Sequence, residues 1–384
     1  MKYDAAVIGG GAAGLACAVR LAESKKLKIA VIDAGERLGK KLAATGNGQG
    51  NISNTDMTPE HYFGGGARFA AKIACADPYA GSAVFDCLFT ADEKGRIYPS
   101  GRQASALCDS FLRKLKGKAD IILSTRVTDI EKGFTLTLSD GRKIQAEYAI
   151  FCAGGKAQKQ FKTDGSAYAL VEKFGHKTTP LYPSLVQVKT DTKHIKTLKG
   201  IRADCNVSAF SGVKKLKTVR GDVIFTEYGV SGNAVFSLSP YITDKPEVEI
   251  SLEFLPDIPA ERIYENLTAR KKAGVADTEL LSGTLHNQLG RAVIARAGAD
   301  VNNIVKTLKN FTLTVAGTLG FDYAQVTRGG IEADGVTDSL ESKFVKNLFF
   351  AGEVLDVDGD CGGYNLQWAF TSGIFVADEI LKRL

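Results

Sequence analysis

At 384 residues, with 44% hydrophobic and 24% charged side chains, the chain has a globular composition and exceeds the usual single hydrophobic core, so two or three domains are expected. A net charge of +6 is mild for this length; it suits anionic small molecules and does not by itself argue for nucleic acid. Seven scattered cysteines without a C-x-x-C pair argue against a disulfide scaffold, a zinc site and a dithiol reductase, and no apolar run reaches the roughly eighteen residues of a membrane helix.

Lys2 to Gly9 reads as one buried strand. Lys2 before an apolar run superficially resembles a signal peptide, but Asp4, the patterned glycines and the missing cleavage site favour a nucleotide-binding strand. The strand leads into Gly9-Gly10-Gly11-Ala12-Ala13-Gly14, which fits G-x-G-x-x-G, and then into a helix carrying Leu15, Val19 and Leu21 on one side. A second apolar run, Ile29 to Ile32, ends at Asp33-Ala34. Dinucleotide binding needs this order of strand, glycine turn, helix, strand and acid. Gly9 allows the turn, Gly11 lets a pyrophosphate approach the backbone, and Gly14 lets helix and strand pack closely. Asp33 would accept a hydrogen bond from a ribose hydroxyl. The alternative is a glycine-rich turn in a nucleotide-free sheet.

Gly39 to Asn54 is rich in glycine and asparagine and suits a loop folding over a cofactor, with Lys40 and Lys41 offsetting pyrophosphate charge. An ordinary polar loop is the alternative. Asp77 to Gly117 reads as helical, interrupted from Gly95 to Arg102. Ile121 to Ile130, Phe134 to Leu138 and Lys143 to Ile150 alternate like strands. Tyr148 to Cys152 reads as a buried strand ending in Ala153-Gly154-Gly155, a second backbone turn near the cofactor. Asp164-Gly165 opens a short helix ending near Gly175. Leu185 to Phe254 then reads as strands. Helices follow at Ala260 to Lys271, Asp277 to Leu285, Gly290 to Ala297 and Asn303 to Leu308. Strand character returns at Thr312 to Val315 and Gln325 to Thr327, and Asn347 to Gly352 is another buried strand. The last helix begins around Tyr364-Asn365 and runs to Leu384.

Cofactor-type α/β elements thus open and close the chain around a β-rich segment with a helical excursion. That order implies an inserted domain, with a cleft where it meets the cofactor domain. The expected division is 1–184 with 326–384 for the cofactor domain, 185–255 with 309–325 for a β-rich substrate domain, and 256–308 for a helical insert. Only one G-x-G-x-x-G is visible, which favours FAD over NAD. The acid of Gly352-Glu353 could hold ribityl hydroxyls. The Asp358 to Asn365 run leads into a helix whose free N–H groups would face a flavin carbonyl.

Specific segments carry a resemblance. GKKLAATGNGQGNISN, GRIYPSGRQAS, FCAGG, FTEYGVSG and above all AGEVLDVDGDCGGYNLQWAFTSG resemble the bacterial BaiN-type, aminoacetone-oxidase-like group of FAD flavoproteins, over essentially the whole chain. The resemblance implies a glutathione-reductase-like FAD domain with an inserted β-barrel-like domain and a small helical insert. It implies that Gly9, Gly11 and Gly14 cradle the pyrophosphate and that Asp33 meets the adenosine ribose. Val127 would touch adenine through its backbone, Gly48 and Asn51 would lie along the FAD, Glu353 near the ribityl chain, and Gly363, Tyr364, Asn365 and Leu366 against the isoalloxazine. The chain departs from the group at Asn47 to Asn51, where relatives often read G-G-G-R-C-N, at Glu227, where they often have histidine, and at Cys361, where they usually lack cysteine.

Taken together these features imply a cytoplasmic FAD-dependent oxidoreductase with non-covalent FAD, moving hydride between flavin N5 and a small organic substrate. The resemblance allows two directions: NAD(P)H-linked reduction of an activated C=C bond, which leads, and oxygen-dependent amine oxidation, the alternative. An RNA-modifying or RNA-binding flavoprotein is the rival class, motivated by the basic stretch Lys189 to Arg220; the scarcity of interleaved aromatics there argues against nucleic acid. A flavin-binding regulator without turnover is a third. Tyr98, Arg102 and Glu227 are the candidate catalytic side chains, each with a structural alternative as loop closure or cap. Cys361 without a resolving cysteine reads as packing. The four histidines fit no metal spacing, and His176 reads as structural.

Overall fold

A computed structural model describes residues 1–384. Two compact units emerge: Met1–Tyr182 with Val326–Leu384, and Pro183–Gln325. In the first, the strands Ala119–Ile122, Ile29–Ile32, Lys2–Ile8 and Lys143–Phe151 lie side by side and parallel. Val7 sits between Val31 and Ile150, so residues buried on both faces occupy the middle of the sheet. The strand Lys143–Phe151 is shared. Its first half pairs antiparallel with Thr135–Leu138, and its second half runs parallel to Leu348–Phe350. That second pairing returns the chain's C-terminal part to the sheet opened by its N-terminus. The helix Ala12–Glu23 and the 18-residue C-terminal helix Tyr364–Leu381 share one core with it.

The second unit is built on a closed antiparallel barrel of six strands, in the order Val188–Thr190, Gly229–Ser231, Lys214–Phe225, Arg202–Ser211, Val248–Phe254 and Phe311–Thr318. Strict alternation makes it: Cys205, Val207 and Ala209 point inward, while Asp204, Asn206 and Ser208 between them do not. The helices Ala260–Lys272, Asn287–Ala297 and Val301–Lys309 bury Ile263, Leu267, Val293, Ile304 and Leu308 in the same core as the barrel.

Three segments differ from the sequence reading. Between Asp77 and Gly117 only Ala104–Leu115 is α-helical; Phe89–Ala91 and Arg96–Pro99 form a hairpin whose third strand is Ser53–Asn54. The partner lies some forty residues back, so no local period announces it. Within Leu185 to Phe254, Asn233–Leu238 is helical, burying Ala234, Val235 and Leu238 at helical spacing. Asp277 to Leu285 condenses to a 3-10 turn at Asp277–Glu279, where Thr278, Ser282, Gly283 and Thr284 give a helix little support.

His176 gives a testable consequence of burial. It is 3% exposed, its Nε2 meets Ser342 Oγ at 2.7 Å, Phe344 and Phe350 close on its ring, and Nδ1 has no partner. Burial pushes its pKa down to about 4. The unfolded chain therefore binds a proton at this residue before the folded one does. Stability should fall as pH drops below the unfolded value of about 6.5, by about 2 kcal/mol between about pH 7 and about pH 5. Urea unfolding at both pH values should show a shallower loss for His176→Asn than for the parent. An identical loss in both proteins would remove His176 from the acid limb.

Candidate functional site

The opening strand stops at Ile8, and Gly9 turns the chain with φ 107° into Gly11, the cap of the first helix. A Cβ on Gly14 would stand 1.9 Å from Gly9 O, so only glycine lets this helix sit so close to the turn. Gly11 is different: a Cβ there would meet nothing within 4 Å. No side chain caps the helix at this point. Open space and uncapped N–H groups are what an anion needs at a helix start. Ala12 and Ala13 add no bulk on its first turn.

Asp33 does more than end its strand. Its Oδ2 accepts from Gly10 N and its Oδ1 from Gly35 N, each at 2.6 Å, so it clamps the glycine turn. Each carboxylate oxygen keeps a second lone pair for a ribose hydroxyl. A groove runs past Gly9, Asp33, Ala34, Val127 and Ala153. Five residues singled out separately in the sequence are thus brought together. The far wall, Lys162 to Ala167, was not foreseen. Arg126 holds it, with its guanidinium 2.9 Å from Asp164 and donating to Ser166 Oγ at 2.8 Å.

Further along, Lys41 Nζ lies 3.0 Å from Glu353 Oε2, while Glu353 Oε1 accepts from Thr327 N at 2.8 Å. Thr327 Oγ1 in turn accepts from Lys156 N and Ala157 N, tying the turn after Ala153-Gly154 to Gly352-Glu353. Lys40, half-buried beside Lys41, has no carboxylate partner. Glu353→Ala would strand a mostly buried ammonium and a backbone N–H. We expect a loss of about 1–3 kcal/mol in urea unfolding of the apoprotein, and a smaller loss for Glu353→Gln, which keeps an acceptor for Thr327. Equal, negligible losses would show that the pair is idle.

At the C-terminal helix, Gly363 is the cap with φ 104°, and again no side chain caps it. The loop Asn51–Ser53 packs against it: a Cβ on Gly363 would lie 2.3 Å from Ser53 O and 2.4 Å from Asn51 Oδ1. Asn51 Oδ1 and Ser53 Oγ are buried with no hydrogen-bond partner. Tyr364 is buried and its carbonyl accepts from Tyr62 Oη at 3.0 Å. Asn365 exchanges two hydrogen bonds with Gly359, so its side chain braces the preceding loop; Leu366 stays half-buried. Gly48, at φ 83°, borders open space.

Tyr98 is buried, with burial raising its pKa, and the Arg102 guanidinium stands 4.1 Å above its ring. Arg102 also reaches Gln49 Oε1 at 3.4 Å. Glu227 belongs to the other unit, where it is exposed and paired with Lys199 at 2.5 Å; that pairing holds its carboxyl below the usual range. Two constellations escaped sequence reasoning because their members are far apart in the chain: the pair of Arg328 with the fully buried Asp358 at 3.2 Å, and His61 between Asp56 and Asp360. The open cradle at Gly11, the groove at Asp33, and the orphaned acceptors beside an uncapped helix start fit a flavin dinucleotide. No group of three or more His, Cys, Asp or Glu is arranged to hold a metal ion, and no helix is long and apolar enough to cross a membrane.

The family described as HI0933-like protein Rossmann domain matches residues 3–379. A 3-dehydro-bile acid delta(4,6)-reductase from Clostridium scindens is 33% identical over 98% of both chains. A ribosomal RNA dihydrouridine synthase from Haemophilus influenzae is 29% identical, again over 98% of each. The solved 3-ketosteroid-delta4-(5alpha)-dehydrogenase of Rhodococcus jostii RHA1 shares the fold, with a TM-score of 0.53 at 14% identity over 98% of this chain and 96% of its own. The chain belongs to the HI0933-like family, a group of FAD-dependent oxidoreductases.

Proposed function

We propose that this member of the HI0933-like family reduces a C=C bond conjugated to a carbonyl, with NAD(P)H as the hydride source. The flavin part of the reading rests on the uncapped start of the C-terminal helix beside the unpartnered Asn51 Oδ1 and Ser53 Oγ. Free N–H groups at a helix start favour negative charge, as reduction places on a flavin. Bound FAD would supply a two-electron store that accepts and returns hydride at N5. Gly9 to Gly14 and Asp33 would bind its pyrophosphate and ribose, Val127 its adenine, and Gly48, Asn51 and Glu353 its extended middle. Gly363 to Leu366 would lie against the ring system. The relatives' names support the direction: a delta(4,6)-reductase and a dihydrouridine synthase are both named for saturating double bonds.

The test is anaerobic. The purified yellow protein is mixed separately with NADH, NADPH and amines, and bleaching of the flavin is followed. A nicotinamide should bleach it, and a steroid dienone should then restore the colour. Bleaching by amines alone would favour the oxidase and overturn this reading.

A second substrate class has its own support. The barrel strand Lys214–Phe225 exposes Lys214, Lys215 and Lys217, and Lys215 and Lys217 lie over the rings of Phe210 and Tyr241 at 5.7 and 5.0 Å. Exposed cations suit the phosphates of RNA, in which uridine has a conjugated C=C. Restoration of colour by uridine-containing RNA, and not by a dienone, would select it.

A further inference from the structure

His61 ends the short turn Pro59–His61 and leads into Tyr62–Phe63, which pairs with Asp358–Gly359 just before the C-terminal helix. Its ring stacks on Tyr364, the first residue of that helix, with centroids 4.2 Å apart and planes 22° from parallel. Nδ1 lies 3.0 Å from Asp360 Oδ2 and Nε2 lies 3.1 Å from Asp56 Oδ2. A neutral imidazole has one N–H and one lone pair, so one of these carboxylates would face a lone pair. Only the imidazolium donates to both. The two carboxylates differ in access: the Asp56 side chain is 65% exposed and that of Asp360 is 15% exposed. Asp56 is therefore the solvent side of the array and Asp360 its inner side.

We propose that His61 takes up the second proton of cofactor reduction. The balance is simple. A nicotinamide hydride brings two electrons and one proton to the cofactor, which leaves one added negative charge there. One solvent proton, entering past Asp56, binds the ring nitrogen of His61 that carries the lone pair and restores the charge of the site. On reoxidation His61 returns it. This rests on the flavin head lying at the start of the C-terminal helix, as read above.

The groups around His61 are carboxylates, phenols and thiols. Asp56, Asp360 and Glu60 are the charged neighbours of His61, and all are carboxylates. Tyr364 carries the stack, with Tyr62 edge-on behind it at 6.1 Å, and Cys75 and Cys361 lie near the Tyr364 ring. Burial raises the pKa of Tyr62, Tyr364 and Cys75, which keeps them neutral. The hydrogen bond to Asp360 raises that of His61, bringing its proton exchange towards neutral pH.

The test is the midpoint potential of bound FAD, measured on the holoprotein from about pH 5 to about pH 9, the range in which histidine exchanges its proton. The parent should show a segment whose slope corresponds to two protons per two electrons, flanked by slopes of one. His61→Asn should lack that segment and have the lower potential on its acid side. Asp360→Asn keeps the imidazole but removes its inner carboxylate, so its segment should move to lower pH; it decides the matter if His61→Asn fails to fold. A single one-proton slope in the parent, or the segment surviving in His61→Asn, overturns the proposal while leaving the flavin reading intact. A protein that folds without binding FAD overturns both.

Discussion

Gly11→Val should fold normally and purify without flavin. The backbone at Gly11, with φ −82° and ψ −168°, is extended and open to any residue, and a Cβ there has no protein atom within 4 Å. The apoprotein should therefore melt within about 2 °C of the parent. What the valine does fill is the space over the helix start, where a pyrophosphate must reach the backbone N–H groups. Two lost charge-assisted hydrogen bonds, at about 1.5–3 kcal/mol each, weaken FAD at least about 100-fold. Fluorescence titration of the apoprotein with FAD measures this directly. A folded variant with full FAD occupancy would show that the dinucleotide binds elsewhere. Gly14→Ala is the contrasting case. Its Cβ would run into Gly9 O at 1.9 Å, so flavin loss there would report a broken turn rather than a blocked phosphate.

That contrast shows where sequence reasoning has its reach. The glycine turn, the first helix and the strand Ile29–Ile32 are legible because each signal is local: a glycine spacing, a helical stripe, a four-residue apolar run ending in an acid. The sheet core from Val7 through Ile150 to Phe349 is legible for the same reason. Asp33 is half legible. Its position after the strand suggests ribose, but its two bonds to Gly10 and Gly35 depend on a turn conformation that no pattern spells out. Ser53–Asn54 with Arg96–Pro99 and the groove wall at Lys162 to Ala167 are illegible locally, because pairing across tens of residues makes them. His61 is the extreme case: its partners Asp360 and Tyr364 lie some three hundred residues away, joined only when Tyr62–Phe63 pairs with Asp358–Gly359.

Gly363→Val and Asn51→Ala should move stability in opposite directions. A side chain at Gly363 must adopt φ 104° and meet Ser53 O at 2.3 Å, so the valine strains the backbone and displaces the Asn51–Ser53 loop. The apoprotein should lose several kcal/mol, of which left-handed strain alone is about 1–3 kcal/mol. FAD affinity would fall as well, but a displaced loop would cause that with or without a flavin contact. Asn51 separates the two causes. Its Oδ1 is buried without a partner, and its Nδ2 donates only weakly, to Ser53 O at 3.5 Å. Removing an unsatisfied buried acceptor should stabilise the apoprotein by about 1 kcal/mol. The same change should weaken FAD about tenfold, because a donor on the cofactor would lose its acceptor. Urea unfolding of the apoprotein and FAD titration give the two signs. A gain in stability with a loss of affinity marks Asn51 as an acceptor held ready for the ligand. A loss of both marks it as packing, and the flavin head would then have to lie away from the start of the C-terminal helix.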